Sequence, residues 1–149
     1  MRSEEFRRRR LLRAGVGSLA LLALAPACGH EYFAARFKLI HPWTRASADG
    51  ATSAIICMTF EDVRETDYLI GATTPYAEGA EAGGLGAGAK FRIEIPKGKR
   101  TEFSEDGVHL RLTRLTEPLL LGRELPITLV FAKSGQLKAT FLVDYEAKT

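Results

Sequence analysis

The chain has 149 residues, of which 46% are hydrophobic and 26% are charged, and this composition excludes a disordered chain and a multi-span membrane protein. Its formal net charge of +3 comes from the start of the chain, where six arginines precede residue 14 and only Glu4 and Glu5 offset them. From Cys28 onward there are 15 basic and 16 acidic residues, a charge of −1, and this argues against nucleic acid as a partner.

Residues 1–27 have the pattern of an export signal. The charged segment ends at Arg13 and is followed by 14 uncharged residues that end at Ala27. A helix needs roughly 20 apolar residues to cross the hydrocarbon core, so this run suits a signal peptide better than an anchor. The small residues Ala25 and Ala27 fit a signal-peptidase site, which predicts cleavage before Cys28.

The arginine-rich segment predicts the destination of the protein. Arg8-Arg9-Arg10-Leu11-Leu12-Arg13 resembles a twin-arginine motif, so we expect a bacterial protein exported to the periplasm by the twin-arginine or the Sec route. Cys28 could instead carry a lipid, although Ala25 stands where lipoproteins usually have leucine. Contact with the membrane is expected only through the leader or a lipidated Cys28. In an oxidising compartment Cys28 and Cys57 could form a disulfide, and the sequence does not decide between a disulfide and free thiols.

The rest of the chain is predicted to be a single all-β domain over residues 36–146, after a linker at residues 28–35. Short runs with a period of two are separated by Gly, Pro, Asp and Ser, and no amphipathic helix is found. This pattern is typical of a sandwich or barrel. The predicted strands are Phe37–His41, Ala54–Glu61, Asp67–Thr73, Phe91–Ile95, Thr101–Phe103, His109–Leu115, Ile127–Lys133 and Leu137–Tyr145.

The segment Glu78–Ala89 contains five glycines and four alanines. Glycine-rich loops can hold phosphate groups, but here no Gly-Lys-Ser/Thr ending follows and no change from strand to helix surrounds the segment. The composition therefore predicts a mobile loop.

Six stretches of the mature chain resemble, in order, the sequence pattern of the PCu(A)C-type periplasmic copper chaperones. They cover residues from about 36 to 146, and their order and spacing carry the resemblance. The matching stretches are Trp43-Thr44-Arg45-Ala46, Cys57-Met58-Thr59-Phe60-Glu61-Asp62, Asp67-Tyr68-Leu69-Ile70-Gly71-Ala72, Ile93-Glu94-Ile95-Pro96-Lys97-Gly98, Gly107-Val108-His109-Leu110 and Leu125-Pro126-Ile127-Thr128-Leu129-Val130-Phe131.

The resemblance implies a cupredoxin-like Greek-key β-barrel, in agreement with the predicted strands. It also implies capture of periplasmic copper and its delivery to the copper centre of cytochrome oxidase. The family binds Cu(I) with two His and two Met, because thioether sulfur and imidazole nitrogen suit this ion. One His and one Met form a His-x-Met pair on one strand, where a period of two places both side chains on the same face.

This sequence departs from that ligand set at most positions. His109 is the only ligand position retained, while Arg111 stands at the place of its partner Met. The other His aligns near Gly83 and the other Met near Ala87, and no His or Met lies between Met58 and His109 or after His109. A guanidinium has no lone pair to donate, so Arg111 fits an anion or a partner's carboxylate better than a cation.

Other residues with metal-binding side chains have simpler interpretations. His30 and His41 are expected near strand ends or in a terminus, and Cys57 is expected to be a small buried residue. Cys57 and Met58 are neighbours on a predicted strand, so they point to opposite faces. Trp43 is expected to pack in the core or at the barrel rim. His109 and Arg111 could themselves be part of a solvated strand face.

Two functions follow from these observations. One is a copper-handling chaperone, in which His109 acts with rearranged or partner-supplied ligands and a protein partner in the periplasm receives the copper. The alternative is an interaction or accessory subunit that binds no metal and keeps the copper-chaperone fold. No arrangement of nucleophile and base stands out, so an enzyme is not predicted.

Overall fold

The computed structural model describes residues 30–148, which form ten β-strands. The predictions for residues 1–27 and for Cys28 lie outside the described residues. No helix within residues 30–148 is long and apolar enough to cross a membrane. The strands are β1 Glu31–Phe33, β2 Lys38–Arg45, β3 Ser53–Glu61, β4 Asp67–Thr73, β5 Ala77–Gly83, β6 Ile93–Ile95, β7 Thr101–Phe103, β8 His109–Leu115, β9 Glu124–Phe131 and β10 Gly135–Tyr145.

The strands form one ten-stranded sheet in the order β5-β8-β3-β2-β10-β9-β4-β6, in which β1 also pairs with β2 and β7 with β3. All of the pairings are antiparallel except that between β2 and β10. The sheet is nearly closed like a barrel, with its apolar faces turned inward. The prediction of a single all-β domain is confirmed.

Two strands lie where the sequence predicted none. β1 lies within the segment assigned to the linker and pairs with the start of β2. β5 occupies the first half of the predicted glycine-rich loop Glu78–Ala89, so the loop prediction was wrong for residues 78–83. Glycine and alanine have weak strand propensity, but their small size lets β5 lie close against β8. A Cβ at Gly79 would come within 2.6 Å of the Thr113 hydroxyl oxygen.

Alternating side chains of the strands build the core. Phe60 is fully buried and makes edge-to-face contacts with Phe37, Phe103 and Phe131 at ring-centre distances of 5.3, 5.3 and 6.0 Å. Such contacts add to the stabilisation that comes from burying the rings. Met58 lies in the same core, whereas its neighbour Cys57 is buried on the opposite side of β3, so the predicted opposite faces are confirmed.

A buried carboxylate fastens β4 to the turn between β9 and β10. Asp67 is fully buried and accepts hydrogen bonds from the backbone N–H groups of Tyr68, Lys133 and Ser134 at 2.8–2.9 Å, and from the Ser134 hydroxyl at 2.6 Å. Burial by itself would raise the pKa of this carboxyl, but the hydrogen bonds outweigh burial and hold the pKa below its ordinary value. Asp67 is therefore charged and satisfied at neutral pH.

Candidate functional site

The candidate site lies on β8, where side chains alternate between the core and the outer face. Leu110 and Leu112 point into the core and are fully buried. His109, Arg111 and Thr113 lie on the other face, because residues two apart on a strand share a face. The predicted arrangement of His109 and Arg111 on one face therefore holds.

Strand β5 and the loop after it bring Gly83 and Ala87, the other two positions that align with copper ligands, close to His109 and Arg111. In the pairing between β5 and β8, Gly83 is opposite His109 and Glu81 is opposite Arg111. Gly83, Ala87 and Arg111 also line one cleft of about 480 Å³, whose wall is completed by the loop that follows β5. The four positions named from the resemblance are thus neighbours in space.

The His109 ring is buried, with only 5% of the residue exposed. Its Nδ1 lies 2.9 Å from the carbonyl oxygen of Gly107, and since a carbonyl can only accept, Nδ1 carries the hydrogen. Nε2 is buried and has no hydrogen-bond partner among the described residues. A Cβ at Gly83 would overlap the His109 ring, so the imidazole occupies the space that a side chain at residue 83 would need.

Arg111 is much more accessible than His109. Its guanidinium lies 3.5 Å from the Glu81 carboxylate, and the two side chains are 43% and 54% exposed. An exposed pair at this distance contributes little to stability, so the guanidinium can exchange Glu81 for another anion at low cost. Arg111 also borders a second cleft of about 340 Å³, which lies between the end of β2 and the start of β3.

The second cleft contains an ion pair that the sequence did not reveal. Arg45 donates two hydrogen bonds to Glu105, at 2.6 and 3.2 Å, and Lys148 lies 3.4 Å from the same carboxylate. The hydrogen bond from Arg45 holds the pKa of Glu105 below its ordinary value. In the sequence, Arg45 belongs to the matching stretch Trp43-Thr44-Arg45-Ala46. No spacing pattern in the sequence connects residue 45 with residue 105.

The donor atoms near the site do not fit the Cu(I) ion that the resemblance implies. His109 supplies one nitrogen, and the sole methionine of the described chain, Met58, is 1% exposed in the core. Burial raises the pKa of the Cys57 thiol to about 11, so it is neutral and inert at physiological pH. Residues 30–148 contain no group of three or more His, Cys, Asp and Glu side chains that could hold a metal ion.

The remaining histidines are engaged in contacts elsewhere. His30 lies 2.8 Å from the Glu124 carboxylate, and His41 lies 3.3 Å from that of Asp144. Trp43 packs edge-on against Tyr145 with ring centres 4.7 Å apart, which agrees with a packing role.

Replacing His109 with leucine is expected to change the free energy of unfolding by less than about 1 kcal/mol, or to increase it. A buried polar atom without a partner costs about 1–3 kcal/mol, and leucine removes that atom while still filling the space. Urea unfolding of the two proteins measures the difference. The lost hydrogen bond from Nδ1 to Gly107 accounts for about 0.5–1.5 kcal/mol, so a loss of several kcal/mol would show that Nε2 also has a partner in solution.

Comparison with known proteins extends this description. Residues 37–143 match the family described as "Putative lipoprotein LpqE-like". No curated protein matches the sequence significantly. The copper-bound PCuAC domain from PmoF2 is 27% identical and has a TM-score of 0.71, with 78% of this chain and 98% of that chain covered.

Two further solved structures are similar. The apo PCuAC domain from PmoF1 is 25% identical with a TM-score of 0.72, and the match covers 78% of this chain and 99% of that one. The Cu(I) form of DR1885 from Deinococcus radiodurans is 23% identical with a TM-score of 0.60, covers 82% and 81% of the two chains, and shows the fold alone. The chain belongs to the LpqE-like family and has the fold of the PCuAC copper-chaperone domains.

Proposed function

We propose that this protein is an exported interaction or accessory subunit that keeps the copper-chaperone fold and does not bind Cu(I) through the site of that fold. The observation that carries this proposal is the packing of His109 on Gly83. The single imidazole fills the space of a second ligand, and its remaining nitrogen is shielded from solvent. A cation, Arg111, stands where the resemblance places a methionine.

The chemistry of Arg111 supports a partner contact. A half-exposed guanidinium at the edge of two clefts can form paired, charge-assisted hydrogen bonds with a carboxylate. It also repels a copper ion. The site therefore suits an anionic group of a partner protein better than a metal ion.

Copper handling is the second candidate, and one observation favours it. A metal-binding histidine usually donates its other ring N–H to a carbonyl or carboxylate, which fixes the ring and leaves one nitrogen lone pair for the metal. His109 makes this contact with Gly107. With ligands supplied by a partner, and with Gly83 displaced, His109 could take part in copper transfer, including delivery to the copper centre of cytochrome oxidase.

The periplasm is the proposed location. The leader at residues 1–27 supports export, and residues 36–146 are the proposed functional domain. The family description names a lipoprotein, which favours a lipid on Cys28 over simple cleavage. The intact mass of the protein from its native host distinguishes a lipidated chain, a cleaved chain and the precursor.

A complementation experiment tests the proposed function. In a native host that lacks the gene, the copper content of the cytochrome oxidase is compared after complementation with the wild-type chain and with His109→Ala. The proposal predicts equal copper content at equal protein levels. A copper content that falls only with His109→Ala would contradict it and support copper handling.

A further inference from the structure

Four loops meet at one end of the barrel and bring positive charges together. Backbone N–H groups of Arg64 and Gly98 donate to the carbonyls of Arg36 and Val63 at 2.7 and 2.9 Å, and the Arg36 side chain reaches the carbonyl of Lys133 at 3.4 Å. We call this region the basic end. Its cations are Arg36, Arg64, Lys97, Lys99, Arg100 and Lys133.

The charge of the basic end differs in sign from that of the rest of the mature chain. Its six cations lie near four carboxylates, those of Glu61, Asp62, Glu65 and Asp67, which leaves +2. The chain from Cys28 onward carries 15 cations and 16 carboxylates, so the remainder has nine cations, 12 carboxylates and a charge of −3. Such a separation of charge orients a protein toward a partner of opposite sign.

Most of these cations are free to meet a partner. Arg36 pairs with Glu65 at 3.0 Å and Arg100 with Glu61 at 3.4 Å. Within residues 30–148, the other four cations of the basic end form no ion pair. Lys97 and Lys99 flank Gly98, whose φ of 72° makes the turn and is easily adopted only by glycine.

The basic end is concave and has an apolar neighbour. A cleft of about 600 Å³ is lined by Arg64, Gly98, Lys99 and Arg100 on the basic side and by Glu61, Asp62 and Val63 on the other. Beside it, Phe33 is 73% exposed and lines a small hollow together with Arg64. Cations around a groove with an exposed aromatic ring are typical of surfaces that bind peptides.

We propose that the basic end binds an acidic segment of a second protein. Carboxylates of the segment pair with Arg64, Lys99 and Arg100, and an apolar side chain packs on Phe33. This inference goes beyond the proposed function, because the basic end is separate from the Arg111 site.

The structure favours a protein partner over an anionic membrane. The cations Arg64, Lys99 and Arg100 line a cleft of about 600 Å³ and do not form a flat patch. An extended peptide can enter such a cleft more readily than the flat surface of a bilayer can.

The test uses the full chain and a short synthetic peptide rich in Asp and Glu with a central Leu. Peptide titration should shift backbone amide NMR signals at Arg64, Gly98 and Lys99. Changing Lys99→Glu together with Arg100→Glu should weaken binding at least about tenfold, and added salt should weaken binding to the wild type. The matched control changes Lys90→Glu and Lys138→Glu, which gives the same net charge outside the basic end.

Three results would overturn the proposal. Equal weakening by the control pair would mean that only net charge matters. Signals that shift at the basic end without peptide, in proportion to protein concentration, would indicate contact between copies of this chain. Binding to phosphatidylglycerol vesicles that needs Lys99 and Arg100, without binding to the peptide, would indicate a membrane surface.

Discussion

Replacing Asp67 with alanine is expected to lower the free energy of unfolding by about 2–4 kcal/mol. The carboxylate is buried and accepts hydrogen bonds from three backbone N–H groups and one hydroxyl. Alanine leaves the N–H groups of Lys133 and Ser134 without this partner, and each buried unpaired group costs about 1–3 kcal/mol. Urea unfolding measures the loss.

The stability that Asp67→Ala loses relative to the wild type should become smaller as the pH falls. The pKa of Asp67 is lower in the folded protein than the ordinary value of about 4, so its contribution is complete above that value and is lost as the pH falls through the folded pKa. The wild type and Asp67→Ala should therefore approach each other in stability as the solution becomes strongly acidic. Asp49→Ala, at an exposed loop position, is the control and should change stability by less than about 0.5 kcal/mol. A gap between wild type and Asp67→Ala that is constant with pH would contradict this account.

Combining Gly83→His, Ala87→Met and Arg111→Met is expected to raise Cu(I) affinity by about 1000-fold, equal to about 4 kcal/mol. The three changes place soft ligands in one cleft and remove its cation. The His109 ring must move away from residue 83 to make room for the new side chain. A competition titration with a Cu(I) chelator measures the gain.

Two controls make this result specific. Arg111→Met alone should gain little, because a single Met and a shielded His do not form a Cu(I) site. Adding His109→Ala to the triple variant should remove most of the gain. If the triple variant keeps the circular dichroism spectrum of the wild type and still gains no affinity, the likeness to the copper domains does not extend to the site.

The sequence was most informative where strands are regular. The bounds of β4, β7 and β8 agree with the predictions, because alternating side chains and flanking turn residues mark them clearly. β2 continues past His41, where a positive φ of 46° and a shift in register between Ile40 and Trp43 interrupt the alternation. The hairpin of β9 and β10 begins at Glu124, three residues before the predicted start.

The sequence predicted only some features of the candidate site. The resemblance to the copper chaperones aligned Gly83 and Ala87 with ligand positions and so implied that they lie near His109 and Arg111. The structure brings these positions together. The burial of the His109 ring against Gly83 depends on how closely β5 approaches β8, and β5 itself was not predicted. The ion pair of Arg45 with Glu105 joins the end of β2 to the loop between β7 and β8, and the local pattern of the sequence contains no signal for it.

The central claim is that this chain keeps the copper-chaperone fold without a Cu(I) site, and its most direct test is a Cu(I) titration of the protein lacking residues 1–27 against a competing chelator. We expect the chelator to retain the copper, with the same curve for the wild type and for His109→Ala. Tight Cu(I) binding by the wild type that His109→Ala abolishes would contradict the claim and would identify a copper chaperone.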